Sequence, residues 1–100
     1  MAIRNYKASA EEIAQARIGA LIKSSKEILE KLETLFKGKK IKPKVFQEKK
    51  KHLESAMFNL DLMRPSINTR ESMKLELDYY NKGISGIRRF CDEIEDSLKN

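Results

Sequence analysis

Apolar residues recur at helical spacing along the first third of the chain. A row with a step of seven residues and the residues beside it comprise Ala14, Ile18, Leu21, Ile22, Ile28, Leu29, Leu32, Leu35 and Phe36. Together they form a stripe about 100° wide, the width of a helix face that packs on a core. Ser9 and Glu12 have the spacing of a capping box, and Gly38 supplies a stop. The pattern predicts a first helix over residues 9–37.

A second, shorter apolar row follows a lysine-rich connection. Its members are Phe46, Leu53, Ala56, Met57, Leu60 and Met63. Pro43 fits the first turn of a helix, where its missing N–H leaves no hydrogen bond unmade. Pro65 disfavours helical geometry at Arg64, so we predict a second helix over residues 43–64. Lys50 occupies a position in the row, and its ammonium group must therefore extend outward from the core.

The third apolar row is the longest and most regular. Its members alternate in steps of four and three residues: Met73, Leu77, Tyr80, Ile84, Ile87, Cys91, Ile94 and Leu98. This heptad pattern predicts one helix over residues 69–99, capped by Asn68. The row passes through Gly83 and Gly86 without the change of phase that a phosphate-binding glycine loop would cause. We therefore expect helix here, with Gly83 allowing a neighbouring helix to approach and Gly86 facing outward.

Three amphipathic helices with short connections predict an all-α fold, an antiparallel up-down-up three-helix bundle formed by residues 1–100 as one domain. Helices one and three should be long and helix two shorter. The start of helix one would then lack a third wall, which leaves Ile13 and Leu77 uncovered unless the segment with Ile3 and Tyr6 packs over them. Exposed apolar stripes are commonly closed by a partner, so we expect a homodimer or a protein partner.

Composition narrows the class of protein. A chain with 40% hydrophobic and 36% charged residues can bury a modest core. The sequence has no apolar run of about 18 residues, and MAIRNYKASAEE lacks the apolar centre of a secretory signal. A single cysteine forms no internal disulfide and agrees with a reducing compartment. These features favour a cytoplasmic protein and disfavour a membrane partner.

Charge brings in a second candidate surface. The 21 Lys and Arg residues outnumber the 15 Asp and Glu residues, and the net charge is +6. Eight lysines lie close together in sequence: Lys37, Lys39, Lys40, Lys42, Lys44, Lys49, Lys50 and Lys51. They could neutralise nucleic-acid phosphates without reading sequence, although the segment has no arginine for base readout. The other interpretation is a solvated surface, balanced in part by the acids near the end of helix three: Asp92, Glu93, Glu95 and Asp96.

No constellation of catalytic or metal-binding residues is evident. His52 is the only histidine, and no second ligand at metal-binding spacing accompanies it. Cys91 falls in the apolar row without a histidine to activate it. We therefore expect no enzyme activity, no cofactor, no metal and no small-molecule substrate. Tyr79 lies outside the row near Arg88 and Arg89, a composition typical of interface hot spots, so these three residues are candidate partner contacts.

One resemblance to a known family adds a minor alternative. SAEEIAQA at residues 9–16, FKG at residues 36–38 and Phe46 beyond them resemble the small helical-hairpin substrates of type VII secretion. The turn of that family carries Trp-x-Gly, and here Phe36 stands in place of the tryptophan. The first helix is shorter than in the family, a third helix follows Pro65, and the resemblance covers under half of the chain. It implies a secreted helical substrate.

The sequence thus favours a small, non-catalytic interaction or accessory protein. It would dock a protein partner or a second copy through a helix face that includes Ile13, Leu77 and Tyr79. The alternative is a sequence-nonspecific nucleic-acid-binding accessory protein that uses the cluster from Lys37 to Lys51.

Overall fold

A computed structural model of the chain describes the backbone of residues 10–63 and 71–99 and the side chains of residues 12–63 and 74–99. Three helices make up the fold: α1 (Ala10–Lys37), α2 (Pro43–Met63) and α3 (Glu71–Lys99). At 28, 21 and 29 residues they are about 42, 32 and 44 Å long. The predicted all-α bundle with a shorter second helix is confirmed.

Some predicted features lie outside the described residues. They are the cap at Ser9, the side chain of Met73, the boundary at Arg64 and Pro65, the cap at Asn68, and the tail with Ile3 and Tyr6.

The two long helices run in the same direction. Arg17 on α1 pairs with Asp78 on α3 at 2.8 Å, and Lys31 pairs with Asp92 at 3.2 Å. Both pairs join residues that are 61 positions apart, so the register between α1 and α3 is constant along the bundle. Because α2 returns in the opposite direction between them, the helices have the predicted up-down-up order.

The core contains the apolar rows of all three helices. Its buried side chains are Ala14, Ile18, Leu21, Ile28, Leu32, Leu35, Ile41, Phe46, Leu53, Ala56, Leu60, Leu77, Ile84, Ile87 and Cys91. Burying a large apolar side chain is worth about 1.5–3 kcal/mol, so this set supplies the main stabilisation of the bundle. Leu98 departs from the prediction, since it is 52% exposed. The constant register explains this exposure, because it places Leu98 level with the end of α1.

One polar side chain is buried among these apolar residues. Ser25, in the middle of α1, has no exposed surface, and its Oγ donates a hydrogen bond of 2.8 Å to the carbonyl of Leu21. Its hydroxyl is therefore satisfied within α1 itself and adds no demand on α2 or α3.

The end of α1 is closed by two backbone hydrogen bonds. The amide of Lys40 donates to the carbonyl of Leu35, and the amide of Lys39 donates to the carbonyl of Phe36, each at 2.9 Å. These are the two bonds of a Schellman motif. The left-handed residue is Lys39, with φ of 62°, whereas Gly38 keeps a negative φ. The prediction that the helix stops here is confirmed, but the assignment of the stop to Gly38 is wrong.

Aromatic stacking fixes the start of α2 against the end of α1. The rings of Phe36 and Phe46 lie 4.2 Å apart between centroids and only 2° from parallel. Pro43 is the first residue of α2, as predicted. The short connection and the stacked rings together hold α1 and α2 as an antiparallel pair.

The helix α3 continues through both of its glycines. None of the glycines that the structure describes has a positive φ. A Cβ added to Gly83 would come within 2.9 Å of Nε2 of His52, and a Cβ added to Gly86 would meet open space. Gly83 thus lets α2 approach and Gly86 faces outward, as predicted. The geometry excludes a phosphate-binding glycine loop at this position.

Candidate protein-docking surface

A cluster of large apolar side chains is exposed near the end of α2 and the first turns of α3. Phe58 and Leu62 on α2 are 65% and 60% exposed, and Leu75 and Tyr79 on α3 are each 69% exposed. Each pair is separated by four residues, which places its members on the same side of the helix, one turn apart. We call these four residues the apolar patch.

The patch borders a groove between α2 and α3. Leu62, Leu75 and Tyr79 line this groove, together with half-buried Met63 and Tyr80. Met63 and Tyr80 also pack against the core, so the floor of the groove is continuous with the interior of the bundle. A partner side chain that enters the groove would contact apolar residues that themselves pack against the core.

Tyr79 is held in place by its neighbour in sequence. Its ring meets the ring of Tyr80 edge to face, with centroids 5.5 Å apart and planes at 73°. Because Tyr80 packs against the core, the exposed ring of Tyr79 has a supported neighbour on one side. A contact of this kind restricts a ring and lowers the entropy that it loses on association.

The end of the bundle near the start of α1 is less exposed than predicted. Ile13 is 52% exposed, as expected, but Leu77 is only 1% exposed and Ala14 is 8% exposed. The expectation that Leu77 offers a surface to a partner is therefore wrong. At this level α1 packs on α3, as the ion pair of Arg17 with Asp78 shows, and α2 also reaches it, since Met63 lines a groove with Glu76 and Tyr79. The third wall that was expected to be missing is therefore present beside Leu77.

The structure does not unite Tyr79 with the two arginines. Arg88 borders a small groove between α1 and α3 that Leu21 and Ser24 also line, whereas Tyr79 lines the groove between α2 and α3. Arg89 is exposed, and it lies about 15 Å along the helix from Tyr79. The predicted hot spot of a tyrosine flanked by arginines is not assembled.

The apolar rows that predict the three helices do not include three of the four patch residues. Phe58, Leu62 and Leu75 fall out of phase with the buried rows, and only Tyr79 was singled out. Large apolar residues at outward-facing positions were the signal that could have identified them, because a solvent-facing position of a helix is ordinarily polar.

The predicted lysine cluster occupies the opposite end of the bundle from the apolar patch. Six of its lysines are exposed: Lys37, Lys39, Lys40, Lys42, Lys44 and Lys51. The other two cover aromatic rings. The Nζ atom of Lys49 lies 5.0 Å from the ring centroid of Phe90, and that of Lys50 lies 5.7 Å from the ring centroid of Phe46. Lys50 thus reaches outward over Phe46, as predicted.

Acids near the end of α3 find a cation on α1. Lys31 lies 3.2 Å from Asp92 and 3.4 Å from Glu95. The hydrogen bond and the charge of Asp92, together with the charge of Glu95, raise the pKa of Lys31. Lys40 and Glu93 border one groove at this end of the bundle. The acids near the end of α3 were predicted to balance part of the lysine cluster. Asp92 and Glu95 instead pair with Lys31, which lies outside that cluster.

His52 and Cys91, the two residues singled out for intrinsically reactive side chains, lie on α2 and α3. His52 is exposed on α2 beside Gly83. Cys91 has no exposed surface, and burial, followed by the charge of Glu95, raises the pKa of its thiol. A protonated, buried thiol is a poor nucleophile. Within residues 10–63 and 71–99, no group of three or more His, Cys, Asp or Glu could hold a metal ion.

Of the three helices, as far as the structure describes them, none combines the length and the hydropathy that crossing a bilayer requires. Comparisons with protein-family models, with curated proteins and with solved structures find no match to this chain.

Proposed function

We propose that this chain is a small, non-catalytic helical bundle that docks a protein partner, with the apolar patch as the docking surface. The observation that carries this proposal is the exposure of Leu62, Leu75 and Tyr79 along a groove with an apolar floor, with Phe58 exposed one turn before Leu62. Exposed apolar residues grouped in this way on a small domain are a common mark of an interaction site.

The composition of the patch also supports docking. Aromatic residues dominate the binding energy of many interfaces, and the ring of Tyr79 packs edge to face on that of Tyr80. The surface lies on two neighbouring helices, so a partner would contact a preformed scaffold. We place this function in the cytoplasm, because the one cysteine of the chain is a buried free thiol.

The experiment that tests this function is the mass of the native complex recovered from the protein's own cells, before and after nuclease treatment. A protein partner gives a complex heavier than the 11.6 kDa of this chain, and nuclease leaves that mass unchanged. A particle of 11.6 kDa in both preparations would contradict docking.

A second candidate function is sequence-nonspecific binding of nucleic acid through the lysine cluster. It is favoured by the exposure of six of these lysines and by the pairing of Asp92 and Glu95 with Lys31. The affinity for a duplex or a single strand should fall steeply between low and physiological salt. Replacing Lys39, Lys40, Lys42 and Lys44 by glutamine should flatten the logarithmic salt dependence by roughly three to four units.

A further inference from the structure

We infer that the occupant of the apolar patch is an amphipathic helix with an apolar face and basic flanks, supplied by another protein. This inference rests on the proposed docking function and adds the chemistry of the partner. Three properties of the patch lead to it: its shape, its area and the charges around it.

The shape suits a helix. The patch extends along two helices, with Leu62 on one side of the groove and Leu75 and Tyr79 on the other. Leu75 and Tyr79 are one helical turn apart, as are Phe58 and Leu62. A helix lying along the groove would place side chains at every third or fourth position between these pairs. It would add a fourth helix to the three that are present.

The area favours a short helix over a second copy of the chain. A whole aromatic side chain presents about 150–250 Å², so four side chains that are 60–69% exposed present roughly 450 Å². A stable interface between two proteins buries about 800 Å² on each side. The patch alone supplies little more than half of that, whereas a few turns of helix are matched to it.

Among the residues that the structure describes, more acids than cations lie beside the patch, although the chain as a whole is basic. Glu76 is the charged residue that lines the groove. Glu54 and Asp61 are exposed one turn before and one turn after Phe58. Lys74, next to Leu75, and Lys82, one turn after Tyr79, are the nearby cations on α3. Two copies joined symmetrically through this patch would bring the same acids together, whereas a basic helix would pair with them.

Most of the excess positive charge lies too far away to reverse this preference. Lys37 to Lys44 lie at the opposite end of α2, a helix about 32 Å long. Lys51, the cluster member nearest to the patch, is about 17 Å along the helix from Leu62 and about 10 Å from Phe58. At physiological ionic strength the screening length is about 8 Å. The acids beside the patch therefore determine which charge a helix meets there, and the lysines at the other end have little influence on it.

The test uses two labelled probe peptides, each roughly 18 residues long so that a helix can form. Both carry leucine on one face, and the rest is lysine in one peptide and glutamate in the other. Fluorescence anisotropy measures their binding to the full chain. We expect the lysine peptide to bind at least tenfold more tightly than the glutamate peptide. The pair of changes Leu62→Gln and Leu75→Gln should reduce its affinity at least tenfold, and Glu76→Lys should reduce it severalfold.

A matched control distinguishes binding at the patch from nonspecific binding of the peptide to exposed apolar side chains. Leu98→Gln alters an exposed leucine at the opposite end of α3 and should leave the affinity unchanged. Equal binding of the two peptides, or insensitivity to Leu62→Gln with Leu75→Gln, overturns the inference. So does self-association of the wild-type chain that these two changes abolish, which would make a second copy the occupant. An affinity that rises tenfold when residues 1–9 are deleted would identify that segment as the occupant.

The failure of this inference is distinguishable from the failure of the docking function. If the native complex from the protein's own cells depends on Leu62 and Leu75 while the peptides do not discriminate, docking stands and only the chemistry assigned to the partner is wrong.

Discussion

The imidazole of His52 lies so close to Gly83 that a Cβ atom added to this glycine would come within 2.9 Å of Nε2. Gly86, three residues later in the same helix, has open space where its Cβ would be. The two glycines therefore form a matched pair, with the same helical backbone and different surroundings. They separate the effect of helix propensity from the effect of contact with α2.

Replacing Gly86 by alanine should raise the free energy of unfolding by about 0.4–1 kcal/mol, because alanine favours the helix and meets nothing. Gly83→Ala should give a smaller gain, since the exposed imidazole of His52 must move aside. In a His52→Ala background the two gains should become equal. Urea denaturation of the wild type and of these five variants, His52→Ala alone included, measures this. A loss of stability in Gly86→Ala would contradict a continuous helix.

Lys39→Gly should stabilise the bundle by about 0.5–1 kcal/mol. A left-handed backbone costs an L-residue roughly 1–2 kcal/mol, and glycine avoids that cost while losing more entropy on folding. Lys40→Gly is the control, because Lys40 has no positive φ and should show no gain. Thermal and urea denaturation check both variants. Equal effects at the two positions would contradict the Schellman geometry.

Truncation should be far more costly at Leu77 than at Leu75, although only one residue separates them. Leu77 is 1% exposed, so Leu77→Ala should lower the free energy of unfolding by about 2–5 kcal/mol. Leu75→Ala should stay within about 0.5 kcal/mol, because its side chain is in water. Denaturation curves provide the comparison. Comparable losses at both positions would mean that Leu75 is buried.

Cys91 should be unreactive toward thiol reagents in the folded protein. Burial raises the pKa of its thiol above the ordinary 9.0, so less thiolate is present at each pH than in the unfolded chain. The native state keeps the proton more tightly, and this contribution to stability is present below pH 9 and is lost as the pH rises through the folded pKa. Ellman's reagent at pH 8 with and without urea measures the contrast. Rapid reaction without urea would place the thiol at the surface.

The sequence predicted the helices well because each buried row repeats at the helical period over many residues. Leu21 and Ile84 were assigned to the core from spacing alone, and both are buried. The candidate surface was harder to predict. Which side of a three-helix bundle stays open depends on how closely each pair of helices approaches. The distance between two helices depends on individual contacts such as that of His52 with Gly83, and a periodic pattern of apolar residues does not predict it.

The two errors at the candidate surface have separate causes. The short α2 predicts an exposed Leu77, but α2 extends far enough for Met63 to lie beside Glu76 and Tyr79, and Leu77 is buried. Leu62 and Leu75 were overlooked because they lie outside the rows that predict a core. Spacing identifies the residues that pack together, and the apolar residues left over are the ones that indicate a partner.

The most direct test of the docking surface is the mass of the native complex formed by the wild-type chain and by a chain with Leu62→Gln and Leu75→Gln. Both side chains are exposed, so the variant should fold normally, which circular dichroism checks. Leu98→Gln, which alters an exposed residue at the opposite end of α3, is the control. We predict a nuclease-resistant complex for the wild type and for Leu98→Gln, and a particle of 11.6 kDa for the double variant. A double variant that keeps the complex would contradict the assignment of this surface.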